Sequence, residues 1–376
     1  MNALVKQCLN AILHTVRHRR RLRTFIIVIL SVTLLAWVGQ QLFTDVTGEL
    51  RLSPELSVTV IKPAGYERTP AESSYKRRLF IRLPGASARL GNRMFGHAAL
   101  LGLAADSGLQ ATVSFAHNNN ILSSIFRLTT PVAGLRDARL VHQRTVEWPW
   151  RTAVYVPPPM NLMDGVAEDD DIVLVGYFQS WRYFHAVEGR VRAEFRFRKH
   201  VADAAADVLR QLTAKYTSSS TNLVLIGIHV RRNDMALDYN LRRGYTVADE
   251  HYLRRAMNYV ADRVATDANG TATSLLFVVC TDDEEWTRYN LNATSYPVAF
   301  ASRPHGTYRK AEVDLAVLAS CDHVITTVGT FGWWAGYLHR PDGITVYYTG
   351  FPKPGTEIGN NFHAEDFFPP SWIGIL

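Results

Sequence analysis

Residues 223–235 read LVLIGIHVRRNDM. Almost every residue up to Val230 is a large aliphatic, without polar alternation. Such a run is a strand buried on both faces, the pattern of a parallel sheet covered by helices. It ends in His229, then Arg231 and Arg232 in tandem, with Asp234 close behind. Charge beside a buried strand is costly unless it is partnered. A guanidinium is planar, always charged and binds two oxygens at once, so the pair suits an oxyanion. For an isolated Arg-Arg pair, a solvated or acid-paired turn is the better reading; the flanking His229 and Asp234 reverse that preference.

Toward the C-terminus the alternation repeats. TVADEHYLRRAMNYVADRVA (246–265) reads as a helix with Thr246 as N-cap and Asp249 in the capping-box position. Strands follow at LLFVVC (275–280), PVAFAS (297–302), HVITTV (323–328) and ITVYY (344–348). Helical segments separate them: DDEEWTRYNL (282–291), KAEVDLAVLASC (310–321) and TFGWWAGYLH (330–339). Toward the N-terminus, LFIRLP (79–84) is a strand. A glycine-rich turn leads from it into a helix from about Arg93 to Asp106, ended by Gly108. QATVSF (110–115) is a strand, and IVLVGYFQSWRYF (172–184) a strand entering a short aromatic helix. KHVADAAADVLRQLTAKY (199–216) is an Ala-rich helix, and TSSSTN (217–222) a linker. The α/β order implies two Rossmann-like domains facing across a cleft, with ligands at the strand C-termini.

The net charge of +7 invites a nucleic-acid reading, but six of those charges lie in residues 1–24. The rest of the chain has no basic bias, so nucleic acid is not an expected partner. After that basic tail comes FIIVILSVTLLAWVGQQLF (25–43), about long enough to span a bilayer. A cleaved signal peptide is the alternative, but AWVGQQ is a poor cleavage site. The flanking arginines keep the tail cytosolic and put the bulk of the chain across the membrane. Asn269 (NGT) and Asn292 (NAT) are N-glycosylation sequons, meaningful in that compartment. There Cys280 and Cys321 can form a disulfide or stay as buried thiols, and the sequence favours neither. The expected division is tail 1–24, transmembrane anchor 25–43, stem 44–78, N-terminal subdomain 79–216, C-terminal subdomain 217–350 and a final segment 351–376.

GIHVRRNDM (227–235) resembles the HxRRxD signature of the α1,2-fucosyltransferases. RLGNRMFGHAALLGLAADSG (89–108), GYFQSWRYF (176–184) and DLAVLASCDHVITTVGTFGWWAGYL (314–338) resemble that family's other blocks, in the same order. The resemblance implies a GT-B-like fold and a Golgi type II membrane enzyme. It implies transfer of fucose from GDP-fucose to O2 of a terminal β-galactose, with inversion and with no cofactor or metal required. The donor and the galactoside-terminated glycan are then its partners, with the Golgi membrane. Another linkage or acceptor, and a catalytically silent glycan-binding protein, are the alternatives. The chain departs from the pattern at Asn233, where animal members usually have Gly, and over 134–150.

Roles follow from the same resemblance. His229, Arg231 and Arg232 would hold the pyrophosphate, and Asp314 the guanine edge. Gly329 and Thr330 would offer an amide and a hydroxyl; Gly91 and Asn92 would approach the donor from the other half. Apart from the resemblance, Asp234 and Asp238, close in sequence to the arginines, are candidates for the proton acceptor, with Asp234 alternatively the residue that orients an arginine. Trp181, one of several aromatic residues that could stack on a sugar, is the candidate acceptor contact. The acid clusters EDDDI (168–172) and TDDEEW (281–286) are weak metal candidates, because acids also favour a helix start.

Overall fold

The computed structural model describes residues 58–61, 77–84, 89–114, 119–133, 143–148, 153–158, 170–216, 222–265, 273–292, 294–301 and 311–376. The tail, the segment 25–43 and Asn269 lie outside the described residues, as does most of 44–78. Among the described residues no helix is long and apolar enough to cross a membrane.

Six parallel strands form the sheet anticipated from 223–348. Their spatial order is β10 (Val298–Phe300), β9 (Thr273–Thr281), β8 (Asn222–Val230), β11 (His323–Thr326), β12 (Thr345–Tyr348) and β13 (Ile373–Ile375). β8 lies centrally and pairs with β9 along its whole length, from Asn222↔Thr273 to Val230↔Thr281. All five ladders are parallel, so every strand end points to one edge. The sixth strand was not expected: the segment after 351 returns to the sheet as β13.

The other sheet is less regular. It runs β1 (Val58–Ile61), β6 (Gln143–Glu147), β7 (Asp171–Val175), β2 (Arg78–Arg82), β3 (Gln110–Ala111), with β1 antiparallel to β6 and the rest parallel. The strand expected at 110–115 is broken at Thr112 into β3 and β4 (Val113–Ser114), which pairs with β5 (Val132–Ala133). β1 falls inside the stretch read as stem, so that stretch supplies an edge strand. Its partner β6 lies within 134–150, where the family pattern gave no guide.

The described helices are α1 (Leu90–Asp106), α2 (Asn119–Ile125), α3 (Glu188–Glu194), α4 (Lys199–Thr213), α5 (Asp238–Arg243), α6 (Glu250–Ala265), α7 (Glu284–Leu291), α8 (Ala311–Ala319), α9 (Thr330–Leu338) and α10 (Ala364–Phe367). α6 starts three residues later than Thr246 as N-cap suggested. Asp249 is its cap, accepting from the Tyr252 N–H at 2.8 Å, while Thr246 donates its hydroxyl to the Gly350 carbonyl. Asp is as good a cap as Thr, and Thr246 is drawn off to a neighbouring loop.

One core covers one face of the six-stranded sheet under α6, with Ile226, Ile228, Tyr252, Leu253 and Phe277 buried in it. The larger core is continuous across the two halves. It joins Phe95 of α1 to Trp333 and Trp334 of α9, with ring centroids 4.5 and 5.1 Å away. α4, read as part of the first half, packs against α8 of the second. The linker at 217–222 therefore marks a chain connection and not a break in the core. Cys280 and Cys321 are both buried in this core and neither forms a disulfide, so the thiol alternative holds.

Candidate functional site

β8 delivers His229, Arg231 and Arg232 to the strand-end edge, and the neighbouring strands fix their backbone. The Arg231 N–H donates to Thr327 Oγ1 at 3.0 Å, and the Arg232 N–H to Asp282 Oδ1 at 2.8 Å. Thr327 follows β11 and Asp282 follows β9, so both flanking strands brace the pair.

The side chains differ. Arg231 Nη2 lies against both oxygens of Asp234, at 2.7 and 2.8 Å, while its buried Nε has no hydrogen-bond partner among the described residues. Arg232 lies over the Trp286 ring at 3.6 Å and donates Nη1 to the Ala248 carbonyl at 2.9 Å. Its Nε is 3.4 Å from Asp283 Oδ2 without a hydrogen bond. Thus the cluster TDDEEW serves the arginines: Asp282 holds a backbone amide, and Asp283 caps α7 through the Trp286 N–H at 3.2 Å. In EDDDI, Asp171 forms a buried ion pair with Arg78, Nε to Oδ2 at 2.9 Å. Among the described residues no cluster of three His, Cys, Asp or Glu is placed to hold a metal.

His229 is not a charged cleft residue. It lies beneath α9, its ring 5.2 Å from that of Phe331, and is 6% exposed. Burial, and then the Arg231 charge, push its pKa down to about 3, so it is neutral. A Cβ on Gly332 would come within 2.5 Å of His229 Nδ1 and 2.1 Å of Thr326 Oγ1. Glycine there lets α9 sit directly on the strand ends, and His229 supports that helix from below.

Gly329, at φ 95°, turns β11 into α9; only glycine adopts this conformation readily. The other glycine turn lies directly against it. α1 begins at Leu90, three residues earlier than expected, which makes Gly91 and Asn92 first-turn residues. A Cβ on Gly91 would lie 2.6 Å from Thr330 Oγ1 and 2.7 Å from its carbonyl carbon. Thr330 donates its hydroxyl to Asn92 Oδ1 at 2.8 Å, and Gln179 donates to the same oxygen at 3.0 Å. Trp334 Nε1 donates to the Gly91 carbonyl at 2.9 Å. The four residues Gly91, Asn92, Gly329 and Thr330 therefore come together, as the floor where the halves meet.

Asp234 carries a second guanidinium: Arg89 Nη1, from the N-cap position of α1, is 3.0 Å away. Burial alone would raise the Asp234 pKa, but the Arg231 hydrogen bonds and the Arg231 and Arg89 charges bring it below the ordinary value. An acid held ionised by two guanidiniums is a weak proton acceptor. Asp238 starts α5 with its carboxylate 88% exposed, 3.7 Å from Arg242. The structure thus favours Asp234 as the residue that holds an arginine, and sets Asp238 facing solvent. Arg89 was missed, although it opens the quoted RLGN block; its position two residues before Gly91 was the available signal.

Asp314 is buried in the first turn of α8, on the same strand-end edge, and its carbonyl receives Cys280 Sγ at 3.8 Å. Trp181 is elsewhere. Its Nε1 donates to the Glu365 carbonyl at 3.0 Å, and its ring lines a cavity of about 330 Å³ with Tyr337, His339, Thr345 and Trp372. Thr345 opens β12, so this cavity lies at the opposite edge of the sheet from Arg231. Asn292 is exposed after α7, as a glycan acceptor must be.

Comparison with known proteins agrees with the sequence blocks. The model of glycosyl transferase family 11 matches residues 71–376. Galactoside alpha-(1,2)-fucosyltransferase 1 of Saimiri sciureus is 34% identical, over 76% of this chain and 72% of its own. Galactoside 2-alpha-L-fucosyltransferase SEC1 of Bos taurus is 33% identical, over 77% and 72%. Galactoside alpha-(1,2)-fucosyltransferase 2 of Bos taurus is 31% identical, over 86% and 88%. With its arginine pair, its paired glycine turns and this match over most of its length, the chain belongs to glycosyl transferase family 11.

Proposed function

We propose that this chain is a galactoside 2-α-L-fucosyltransferase, moving fucose from GDP-fucose to O2 of a terminal β-galactose with inversion. One observation carries the reading. Arg231 and Arg232 stand at the end of the central strand, each with a buried Nε lacking a hydrogen bond, and the Arg231 side chain lies beside Gly329 at the N-terminus of α9. A diphosphate supplies the missing acceptors, and the helix end adds partial positive charge. In the transition state, negative charge grows on the β-phosphate, so donors already fixed there accelerate departure of the nucleotide.

Within this reading Asp234 positions Arg231 and Arg89. An anion entering the cleft competes with that carboxylate for Arg231. Asp314 is the residue for the guanine edge, on the resemblance to related fucosyltransferases. No metal is required, because the arginines and the helix end provide the countercharge. The basic tail and the segment 25–43 support a Golgi type II anchor, with the catalytic part lumenal and Asn269 and Asn292 available for glycosylation.

The test is an assay of the purified chain with GDP-fucose and a β-galactoside, with and without EDTA. We expect a product fucosylated at O2 and an unchanged rate in EDTA. Absence of transfer to any galactoside would sink the reading, and loss of activity in EDTA would sink its metal-free form.

A further inference from the structure

With Trp181 turned to the far cavity, the acceptor needs another surface at the strand-end edge. An aromatic group stands there. β12 ends at Tyr348, and the chain runs on through Gly350 to Phe351 at the same edge as Arg231. On the neighbouring loop, Gly244 ends α5 at φ 110°, and the Tyr245 N–H donates to the Asn240 carbonyl at 3.0 Å. A Cβ on Gly244 would lie 2.0 Å from Thr356 Oγ1, so the close approach of these loops requires glycine. Backbone and side-chain hydrogen bonds fasten them, among them Lys353 N–H to the Gly244 carbonyl at 2.9 Å, Ile358 N–H to the Arg243 carbonyl at 3.0 Å and Thr246 Oγ1 to the Gly350 carbonyl at 2.8 Å.

The fastening sets the Tyr245 and Phe351 rings 5.5 Å apart and within 24° of parallel. Phe362 backs Phe351 edge-on at 5.4 Å. Asn240 also donates Nδ2 to the Asp234 carbonyl at 2.6 Å. Tyr245 is therefore tied through one residue to the segment that carries Asp234, the arginine holder. In the first half, just after β7, Phe178 at φ 53° turns the chain past Tyr177 and is held by Trp148 and Tyr183. Burial raises the Tyr245 phenol's pKa; the Arg243 and Arg231 charges oppose the rise, and Tyr177 and Asp234 add to it.

We infer that Tyr245, backed by Phe351, is the surface on which the acceptor galactose stacks. The chemistry fits galactose. Its axial O4 leaves the C–H bonds of C3, C4 and C5 on one face, a continuous apolar patch that suits an aromatic ring. The gluco epimer breaks that patch. This inference rests on the galactoside reading above and names the residue that would select the acceptor.

The experiment measures KM for methyl β-galactoside and for GDP-fucose in the full chain and in Tyr245→Ala, Tyr245→Phe and Trp181→Ala. A lost aromatic contact corresponds to a ~10-fold change, so acceptor KM should rise ~10-fold in Tyr245→Ala, with donor KM within about twofold. Tyr245→Phe should restore most of the loss, and Trp181→Ala should leave acceptor KM near its starting value. An unchanged acceptor KM in Tyr245→Ala, or a larger rise in Trp181→Ala, overturns the inference. If the unmodified chain transfers no fucose, the activity reading has failed instead. Saturation-transfer NMR with methyl β-galactoside and methyl β-glucoside then tests the surface directly: binding that favours the galactoside and is lost in Tyr245→Ala supports it, and equal binding in both proteins overturns it.

Discussion

At one edge of the six-stranded sheet, Arg89, Arg231 and Arg232 converge where the two halves meet. At the other edge, Arg192 and Arg340 border the cavity that holds Trp181. The residue types are alike; the satisfaction of their donors is not. Arg340 gives Nε and Nη2 to Asp342 at 2.7 and 2.6 Å and Nη1 to Asp322 at 3.2 Å. Arg192 gives Nε to Glu188 at 2.8 Å and Nη1 to the His339 carbonyl at 3.2 Å, and lies over the Tyr337 ring. Arg231 and Arg232 each keep a buried Nε without a hydrogen bond. Buried donors are normally paired, and one left unpaired on Arg231 beside the start of α9 is placed to receive an anion.

The largest expected effect follows from that contrast. Arg231→Ala should lower turnover ~10²–10³-fold, the size of losing one fixed donor to a developing negative charge. Arg340→Ala, at the other edge, should stay within about twofold of the unmodified rate, since a salt-bridged surface guanidinium contributes little. Steady-state kinetics on both, with circular dichroism to verify folding, check the pair of outcomes. Comparable losses in the two variants would erase the distinction between the edges.

The sequence exposes one of these edges far better than the other, for physical reasons. β8, β9 and β11 are buried on both faces, so their apolar runs stand out, and Gly329 marks the turn where the helix begins. The arginine edge was readable because strand ends in a parallel sheet all point one way. The first half hides its strands: β3 and β4 have two residues each, and β1 is fixed only by pairing with β6, some eighty residues away. Trp181 lies at the other edge, a placement the sequence does not give because an aromatic residue near a strand end has no intrinsic direction. Its indole N–H chose the Glu365 carbonyl, in a segment that returns from the far end of the chain. Arg89 was hidden by its neighbours, since the glycine of its own block drew the attention.

The next effect lies in the scaffold between the edges. α3, which carries Glu188 and Arg192 into the cavity wall, ends at Glu194, a carboxylate only 1% exposed. Glu194 faces His97 Nε2 at 3.2 Å and accepts the Thr129 N–H at 3.1 Å and the Thr129 hydroxyl. Burial would raise its pKa, but these hydrogen bonds and the His97 charge bring it down to about 2. A depressed carboxyl pKa stabilises the fold above the unfolded-state value of about 4.3 and loses that contribution as pH falls toward 2. The shift corresponds to about 3 kcal/mol. Glu194→Gln should therefore lose stability of that order at pH 7, with the gap to the unmodified protein closing between pH 4.5 and 2. Denaturant unfolding across that range measures it. A gap that is constant with pH would mean that Glu194 acts by shape and not by charge.

The smallest effect tests whether the cavity edge is scaffold alone. Arg192→Ala removes the pair with Glu188, one bond to a backbone carbonyl and the contact with the Tyr337 ring 4.8 Å away. The ion pair is partly exposed and contributes a few tenths of a kcal/mol, and the ring contact and carbonyl bond about 1 kcal/mol together. Thermal unfolding should register that loss as a lower midpoint, while fucosyl transfer stays within about twofold. The cation is not replaced by water alone: without Arg192, the His339 carbonyl at the end of α9 loses one partner, and the damage should spread no further than that turn. If transfer instead falls as far as it does in Arg231→Ala, the motion or placement of α9 couples the two edges, and the helix that roofs the arginines is being set from its far end.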